Sequence, residues 1–394
     1  MTYQQAVLKL RIEQICMFPF VALGKIFGLL FPLKEKHKVF LFFPSGDIGG
    51  SPQVNLDITR CIKDASPIII FSKKPNNNQF RKFFEDEGIR IVDLHRYIDN
   101  KLFHFVNFFF RGVIASWINR SDKPVVFGGE TIFFYKIIPH IRKNIPCVEL
   151  CHLATWLDYT IGFAKRIDKR IFSTKKLKQD VIAQYNANHM EASLYDRLFF
   201  LDNATDIPEL QKINNNKTEV VFIGRGSPQK RVHLVAAIAK KMHEAGDNIH
   251  FSFVGDVEKM ININDFPFCK FYGNVNDQSL MQKIYAGSDI LILTSAFEGL
   301  PIVIMTMMAY GKTILSTAVN GIPDYITHME NGLLITETAE DKIVDQGVML
   351  LRTFINDPEL KAKFAQRNRT IAVERFSREV FCKHYREILL GGQS

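Results

Sequence analysis

Two basic residues in the second half of the sequence stand where a phosphate could bind. Arg225 and Lys230 lie in segment 221–231, where a strand-like apolar run ends in a glycine loop and a helix pattern begins. Glycines let the backbone approach a ligand closely, and two cations on one loop can converge on a diphosphate. Taken alone, a basic turn between a strand and a helix is also typical of solvated surface.

A carboxylate forms the second candidate. Glu298 precedes an apolar helix pattern that has Pro301 in its first turn, so it lies just before a helix N-terminus. The free N–H groups of that turn suit a phosphate, while the carboxylate can bind sugar hydroxyls and fix the ligand in one pose. The alternative is a glutamate that only caps the helix.

Strand-like apolar runs alternate with helix patterns along most of the chain. In the first half the runs lie at 39–43, 67–71, 89–92, 124–127 and 146–150, and after a polar stretch at 211–217 they lie at 220–223, 249–254, 271–272, 290–293 and 313–316. This alternation predicts parallel sheets covered by helices on both faces, and 394 residues are enough for two such domains. The predicted fold class is therefore α/β, with two Rossmann-like doubly wound domains.

The second series of runs carries a set of short motifs in a fixed order. They are Gly224-Arg225 with Lys230, Val254-Gly255, Tyr272-Gly273, Glu298-Gly299-Leu300-Pro301, Ala309-Tyr310-Gly311, Asn320-Gly321-Ile322-Pro323-Asp324 and Asn331-Gly332-Leu333-Leu334. This array resembles the donor domain of family 4 glycosyltransferases of GT-B fold, over about residues 218–336. The first half of the chain resembles the family only loosely.

The resemblance implies an architecture and a reaction. Two domains would face each other across a cleft: residues 1–207 would bind the acceptor, residues 208–374 would bind a nucleotide-sugar donor, and C-terminal helices, ending with residues 375–394, would pack back on the first domain. It also implies a retaining transfer that needs no metal and no cofactor apart from the nucleotide sugar as co-substrate.

The resemblance also assigns roles to residues. Arg225 and Lys230 would neutralise the donor diphosphate, together with Gly299 and Leu300, and Glu298 would contact the transferred sugar as a catalytic residue. The remaining contacts with the donor sugar or nucleoside are assigned to Gly273, Asn274 and Thr306.

One position departs from the family pattern. Thr306 stands eight residues after Glu298, where the family usually has a second glutamate that binds the nucleotide ribose. A threonine hydroxyl offers one hydrogen bond instead of a bidentate contact with a ribose diol. A catalytically silent relative that binds a sugar nucleotide or a partner enzyme is therefore a competing hypothesis.

The first half offers fewer candidates. Its loop 46–51, with Gly49 and Gly50, resembles the family's glycine-rich loop facing the donor phosphates, although a purely structural turn is the alternative. His152 follows the run 146–150 and is the candidate catalytic contact for the sugar or acceptor, because side chains at the carboxyl ends of parallel strands line ligand sites. A buried structural histidine is the alternative, and Asp47, Glu130 and Asp158 compete for the role.

The net charge of +9 indicates an anionic partner. Seven Lys and Arg residues lie between positions 165 and 178, and the apolar segment 15–33 precedes the first strand. Together they favour an anionic membrane surface and a glycan or lipid-linked glycan acceptor, as in bacterial surface polysaccharide assembly. A solvated basic face and a helix that packs within the protein are the alternatives. No motif typical of nucleic-acid recognition accompanies the charge, so a nucleic-acid partner is not expected.

The six cysteines are scattered and show no metal-ligand or disulfide spacing. We expect reduced core thiols, which is typical of a cytoplasmic protein, in this case one that could lie on the inner face of the cytoplasmic membrane.

Overall fold

The computed structural model describes residues 1–47, 49–99, 104–154, 157–210, 216–298 and 302–391. The chain divides into two compact units. Unit 1 comprises Met1–Asn203 and Phe381–Ser394, and unit 2 comprises Ala204–Val380. The sequence patterns place the corresponding boundaries after residues 207 and 374.

Unit 1 is built on a parallel sheet whose described strands number seven, in the order β3-β2-β1-β4-β5-β6-β7. The strands are β1 (Val39–Phe43), β2 (Pro67–Phe71), β3 (Arg90–Asp93), β4 (Val125–Gly128), β5 (Cys147–Cys151), β6 (Lys169–Phe172) and β7 (Leu198–Phe200). β1, β2 and β5 are buried along their whole length, because helices cover both faces of a parallel sheet.

The helices of unit 1 connect these strands. They are α1 (Tyr3–Leu30), α2 (Gly50–Cys61), α3 (Arg81–Asp86), α4 (His95–Ile98), α5 (His104–Arg120), α6 (Ile132–Ile137), α7 (Leu157–Thr160) and α8 (Lys175–Ala187).

Unit 2 has a second parallel sheet, with six described strands in the order β10-β9-β8-β11-β12-β13. The strands are β8 (Thr218–Ile223), β9 (Ile249–Val254), β10 (Lys270–Phe271), β11 (Ile290–Leu293), β12 (Thr313–Thr317) and β13 (Leu333–Ile335), and the helices are α9 (Val232–Glu244), α10 (Gln278–Gly287), α11 (Ile302–Ala309), α12 (Glu340–Ile355), α13 (Pro358–Ile371) and α14 (Arg378–Leu390). In both sheets the strand order reverses beside the first strand, as in a doubly wound fold. The predicted fold class is confirmed.

Only part of the C-terminal prediction agrees with the structure. α13 packs on α11 and α12 within unit 2, so it does not return to the first domain. α14 does return: Tyr385 packs against Phe127 of unit 1, and Arg386 forms an ion pair with Asp64 (Nη1–Oδ1, 2.6 Å). The prediction of several returning helices was wrong for α13 because its apolar face is used by unit 2.

The cysteine prediction was also wrong. Cys61 at the end of α2 and Cys382 on α14 form a disulfide, because α14 lies against α2 in unit 1. The other four thiols are free; Cys147 and Cys151 are buried and Cys16 is exposed. The argument from reduced thiols for a cytoplasmic location therefore no longer applies.

The seven basic residues of segment 165–178 differ in exposure. Lys165 and Lys176 are exposed and pair with Glu191 and Asp180. Arg170 is buried in β6, a strand that the apolar pattern did not reveal because charged residues begin it. The other four are partly exposed, and a membrane contact by this segment stays a prediction.

The apolar N-terminal segment belongs to α1, which begins earlier than predicted. Thr2 caps the helix in a capping box with Gln5. α1 packs along α5 so closely that a Cβ at Gly24 would lie 1.9 Å from the carbonyl oxygen of Phe109, and one at Gly112 would lie 2.1 Å from that of Val21. Among the described helices, α1 is the one long and apolar enough to cross a membrane by length and composition.

Candidate functional site

The candidate donor site lies where the strand order of unit 2 reverses, between β8 and β11. Open α/β sheets bind ligands outside the carboxyl ends of the strands at this position. The loop after β8 carries Arg225 and Lys230, and the loop after β11 carries Glu298. Two separate stretches of the sequence are therefore brought to one point by the fold.

Lys230 and Glu298 contact each other directly. The Lys230 ammonium donates to Glu298 Oε1 at 2.5 Å, and the hydroxyl of Ser295 donates to the same oxygen at 2.5 Å. The side chains are 13% and 6% exposed, so this cation and this carboxylate are held in place at the edge of the sheet. Such a charge-assisted contact fixes both groups before a ligand arrives.

The glycines that end these strands bring backbone against backbone. A Cβ at Gly255, where φ is +121°, would lie 1.9 Å from the carbonyl oxygen of Gly224. The N–H of Gly255 donates to the oxygen of Gly273 (2.8 Å), and the N–H of Gly226 donates to Asp256 (2.9 Å). The loops after β8, β9 and β10 are thus joined side by side, and a side chain at Gly255 would separate them.

Arg231 joins the loop after β8 to the loop after β11. Its guanidinium donates to the carbonyl oxygens of Thr294 (2.7 Å) and Ser295 (3.0 Å), and its own carbonyl accepts from the Thr294 hydroxyl (2.9 Å). Arg231 has φ +44°, a left-handed backbone conformation that costs a non-glycine residue energy. This positioning role was not predicted, although Arg231 is a third cation in the loop and directly follows Lys230 in the sequence.

The other predicted donor residues have varied positions. Arg225 is exposed on the loop after β8. Gly273 and the exposed Asn274 follow β10, an edge strand of the sheet that is separated from β8 by β9. Thr306 lies on α11, and its hydroxyl donates to the Ile302 carbonyl (3.2 Å) and is 3.3 Å from the hydroxyl of Thr205. Gly299 and Leu300 lie outside the described residues.

Unit 1 has a polar cluster at the equivalent reversal, between β1 and β4. Glu130 follows β4; its carboxylate accepts hydrogen bonds from the Ser51 hydroxyl and from Asn55 Nδ2 (2.6 Å), both on α2. Gly129, with φ +142°, makes this turn possible, since a Cβ there would lie 2.1 Å from the Leu150 carbonyl oxygen. Glu130 was only a competitor in the sequence analysis, but it lies at the centre of the cluster.

His152 joins this cluster as predicted from its place after β5. Its Nε2 atom is buried and 3.3 Å from Glu130 Oε1, and it has no hydrogen-bond partner among the described residues. Burial lowers the pKa of the His152 imidazole, and the charge of Glu130 opposes this shift only in part. A ring nitrogen beside a carboxylate is therefore left available for a ligand.

A cavity of about 330 Å³ opens over this cluster. It is lined by Pro44, Ser51, Gly129, Glu130, Tyr135, Glu149, Cys151, His152, Leu153, Leu157 and Thr160. The wall is mostly apolar with a few convergent polar groups, which is typical of small-molecule sites. Gly49 and Gly50 begin α2 and are exposed, one turn before the Asn55 that holds Glu130.

The floor of the cavity contains a buried ion pair. Glu149 of β5 pairs with Arg170 of β6; Arg170 Nη2 donates to Glu149 Oε1 at 3.1 Å, and the Tyr135 hydroxyl donates to the same oxygen at 2.5 Å. Thr160 and Tyr185 accept the remaining guanidinium hydrogen bonds at 3.1 and 3.0 Å. Burial, together with the charge of Glu149, raises the pKa of Tyr135. The available sequence signal was Glu149, a charged residue within the apolar run 146–150.

Two of the competing carboxylates do not belong to this cluster. Asp47 accepts hydrogen bonds from the backbone N–H groups of residues 76–78 at 2.8 to 2.9 Å. Partial burial opposes its ionisation, but these bonds prevail and lower the pKa of Asp47 to about 2. Its role is to join the loops after β1 and β2. Asp158 is exposed on α7 and does not line the cavity.

Comparison with known proteins identifies the family. The model of the family described as "Glycosyl transferases group 1" matches residues 203–371, which include Lys230 and Glu298. An uncharacterized glycosyltransferase of Haemophilus influenzae is 30% identical over 369 residues, which are 89% of this chain and 99% of that protein. The chain belongs to the group 1 glycosyltransferases. Membership of family 4 within this group stays a prediction.

One further relative and one solved structure are also similar to this glycosyltransferase. The N-acetyl-α-D-glucosaminyl L-malate synthase of Bacillus anthracis is 27% identical over 201 residues, 49% of this chain and 50% of the synthase, so the chain spans about half the length of that relative. Among solved structures, Anabaena HepE in complex with UDP and glucose has a TM-score of 0.67 and 17% identity, covering 90% of this chain and 99% of HepE. This likeness supports the GT-B fold.

Proposed function

We propose that this glycosyltransferase moves a sugar from a nucleotide-sugar donor to a glycan or lipid-linked glycan acceptor, with retention of anomeric configuration and without a metal ion. The observation that carries the proposal is the Lys230–Glu298 pair at the strand reversal of unit 2. A cation and a carboxylate fixed side by side match a ligand that has a diphosphate next to a sugar.

Donor binding would replace the contact between Lys230 and Glu298 by contacts of each side chain with the donor. Lys230, together with the exposed Arg225, binds the diphosphate and stabilises the negative charge that develops on it as the sugar leaves. The Glu298 carboxylate accepts hydrogen bonds from hydroxyls of the transferred sugar. The two cations take the part that a divalent metal plays elsewhere, which is the basis for proposing a metal-independent reaction.

The cavity of unit 1 would receive the acceptor. A sugar ring has apolar C–H faces and polar edges, and the cavity offers apolar walls at Leu153 and Leu157 with Glu130 and His152 at one point of the lining. His152 would hold the acceptor hydroxyl through its free ring nitrogen. Assembly of a bacterial surface polysaccharide or glycoconjugate is the process in which such an acceptor is used.

The donor site is tested by thermal unfolding with UDP-, GDP-, dTDP-, ADP- and CMP-linked sugars in the presence of EDTA. A ligand that binds only the folded state raises the melting temperature. We expect one nucleotide class to stabilise the wild type, and we expect this shift to disappear in Arg225→Ala and Glu298→Gln.

Lys240→Ala is the matched control, because Lys240 is an exposed lysine of α9 in unit 2 that pairs with Glu244 on the same helix. It should keep the full shift. A shift that persists in both site variants would overturn the assigned site, and a shift that requires added Mg²⁺ or Mn²⁺ would overturn the metal-independent proposal. Retention is checked by NMR of the product's anomeric coupling.

A second candidate function is supported by Thr306. Thr306 stands where the family pattern has a ribose-binding glutamate, and its hydroxyl already donates to the Ile302 carbonyl. A silent relative would bind a sugar nucleotide without transfer. Thr306→Glu distinguishes the two: a large gain in transfer supports an active enzyme with a modified nucleoside site, whereas binding without transfer in both forms supports the silent relative.

A further inference from the structure

The outer face of α1 is apolar over most of its length. From residue 12 to residue 31, Gln14 and Lys25 are the two polar side chains among the exposed positions. The exposed large apolar residues of this segment are Ile12, Ile15, Phe18, Leu23, Ile26, Phe27, Leu29, Leu30 and Phe31, with exposed fractions of 42% to 76%. Soluble proteins rarely expose so continuous an apolar surface, so it indicates an interaction site.

The exposed residues form a stripe along one side of the helix. Spacings of three and four residues place side chains one above another on a helix. Leu8 extends the series by one turn, and the stripe consists of Leu8, Ile12, Ile15, Pro19, Leu23, Ile26 and Leu30. Phe105 of α5, 60% exposed and in tilted contact with the ring of Phe20 (ring centroids 4.8 Å apart), widens the surface at its edge.

The opposite side of α1 is firmly attached to unit 1. Gly24 and Gly28 pack against the backbone of α5, and Ala6 and Leu10 lie against Gly162. Glu13 accepts hydrogen bonds from Arg111 (2.8 Å) and from Lys136. A helix that packs one side against a folded domain, with the ion pairs of Glu13 in that contact, is suited to lie along a surface and not to be surrounded by lipid.

The charges around the stripe have one sign. Within residues 1–38 the exposed basic side chains are Lys9, Arg11, Lys25, Lys34, Lys36 and Lys38, while the one exposed acidic side chain is Glu35. An apolar stripe flanked by cations complements the acyl chains and headgroups of an anionic bilayer. A self-complementary protein interface would not require this excess of positive charge.

We infer that α1 lies in the plane of an anionic membrane, with its stripe among the acyl chains and the flanking lysines at the lipid phosphates. This inference goes beyond the proposed transfer reaction, and it would keep unit 1 beside an acceptor carried on a lipid.

The test is flotation of the purified full-length chain with phosphatidylcholine vesicles, with and without phosphatidylglycerol. We expect binding to the anionic vesicles, and a loss of about tenfold or more in affinity for each of Ile15→Asp, Leu23→Asp and Ile26→Asp. Lys34→Gln, Lys36→Gln and Lys38→Gln should each weaken binding to anionic vesicles by about fivefold. All these positions are exposed, so the melting temperature should not change.

Met349→Asp is the control, because Met349 is an equally exposed apolar residue on α12 of unit 2. It should bind like the wild type. Absence of binding to either vesicle would overturn the inference, as would binding that the stripe variants leave unchanged. A stable lipid-free dimer that dissociates in Ile15→Asp would assign the stripe to a second copy, and resistance to alkaline carbonate extraction would assign α1 to a membrane span. No donor is needed, so failure here leaves the transfer reaction untouched.

Discussion

At the residue scale, the candidate site of each unit uses the same arrangement. In unit 2, Glu298 on the loop after β11 contacts Lys230 on the loop after β8. In unit 1, Glu130 on the loop after β4 contacts Ser51 on α2, which follows β1. The strand reversal leaves room there because neighbouring connections run to opposite faces of the sheet. The position of each carboxylate is therefore a product of topology as much as of local sequence.

The state of His152 leads to a pH prediction. Its ordinary pKa is about 6.5, and burial lowers this value in the folded protein. The unfolded chain therefore binds the proton more readily, so the contribution of His152 to stability is full above pH 6.5 and is lost as the pH falls below it. We expect the acid limb of kcat/KM for the acceptor to lie below pH 6.5, measured as a profile of rate against pH with saturating donor.

His152→Gln is the comparison for this profile, since glutamine can still donate or accept one hydrogen bond without titrating in this range. The acid limb should disappear or move in the variant. A rate that instead falls as the pH rises through this range, and that no longer does so in His152→Gln, would show that a protonated His152 is required and would contradict the assigned role.

Residue types and spacing predicted part of the site. The resemblance pointed to Lys230 and Glu298, which the fold places at the strand reversal of unit 2, and the strand-end argument pointed to His152, which follows β5 and lies beside Glu130. The sequence context could have marked Arg231 and Arg170 as candidates, but their roles could not be assigned, because a cation that is bound by carbonyl groups or buried beside a carboxylate has the same sequence signature as one in solvent.

At the element scale, the glycine loops of unit 2 depend on close backbone contact. Adding a Cβ at Gly255 would bring it to 1.9 Å from the Gly224 carbonyl oxygen, at a φ that side chains rarely adopt. Gly255→Ala should therefore separate the loops after β8 and β9, lowering the free energy of unfolding of unit 2 by more than the ~1–2 kcal/mol that such a φ alone costs a side chain.

Gly246→Ala provides the control for that measurement. Gly246 also has a positive φ, of +73°, but no atom lies within 4 Å of its Cβ position. Urea denaturation of both variants separates backbone strain from loss of the loop contact. Equal destabilisation would contradict the proposed contact, and donor binding should fall in Gly255→Ala alone.

The sequence predicted most strands because parallel strands are continuous apolar runs, as in β1 and β2. It missed β6, β7 and β13. β6 begins with Lys169 and Arg170, whose side chains bond to the Ile388 carbonyl of α14 and to Glu149 of β5, partners that only the folded chain brings close. β7 and β13 are three residues each, too short for an alternating or continuous pattern to be distinctive.

At the scale of the whole molecule, unit 1 contains two distant parts of the chain, joined by the disulfide between Cys61 and Cys382. Cross-links that close long loops stabilise a protein by restricting its unfolded state, typically by about 2–4 kcal/mol. We expect Cys382→Ser to lower the free energy of unfolding of unit 1 by about this amount under non-reducing conditions.

Cys269→Ser serves as the control, because Cys269 is a free, partly buried thiol of unit 2. Mass spectrometry of an unreduced digest should show the peptides of Cys61 and Cys382 linked. Free thiols at both positions in protein purified without reductant would contradict the bridge, and equal melting curves with and without reductant would contradict its contribution to stability.

The discontinuity of unit 1 also affects the order in which the chain can fold during translation. Unit 2 is one uninterrupted stretch, so all of its strands and helices are available as soon as it has left the ribosome. Unit 1 begins first but lacks the α14 residues that cover α2 and Phe127 until residues 381–390 have been synthesised. The nascent N-terminal sheet therefore keeps part of its apolar surface uncovered while unit 2 is being made.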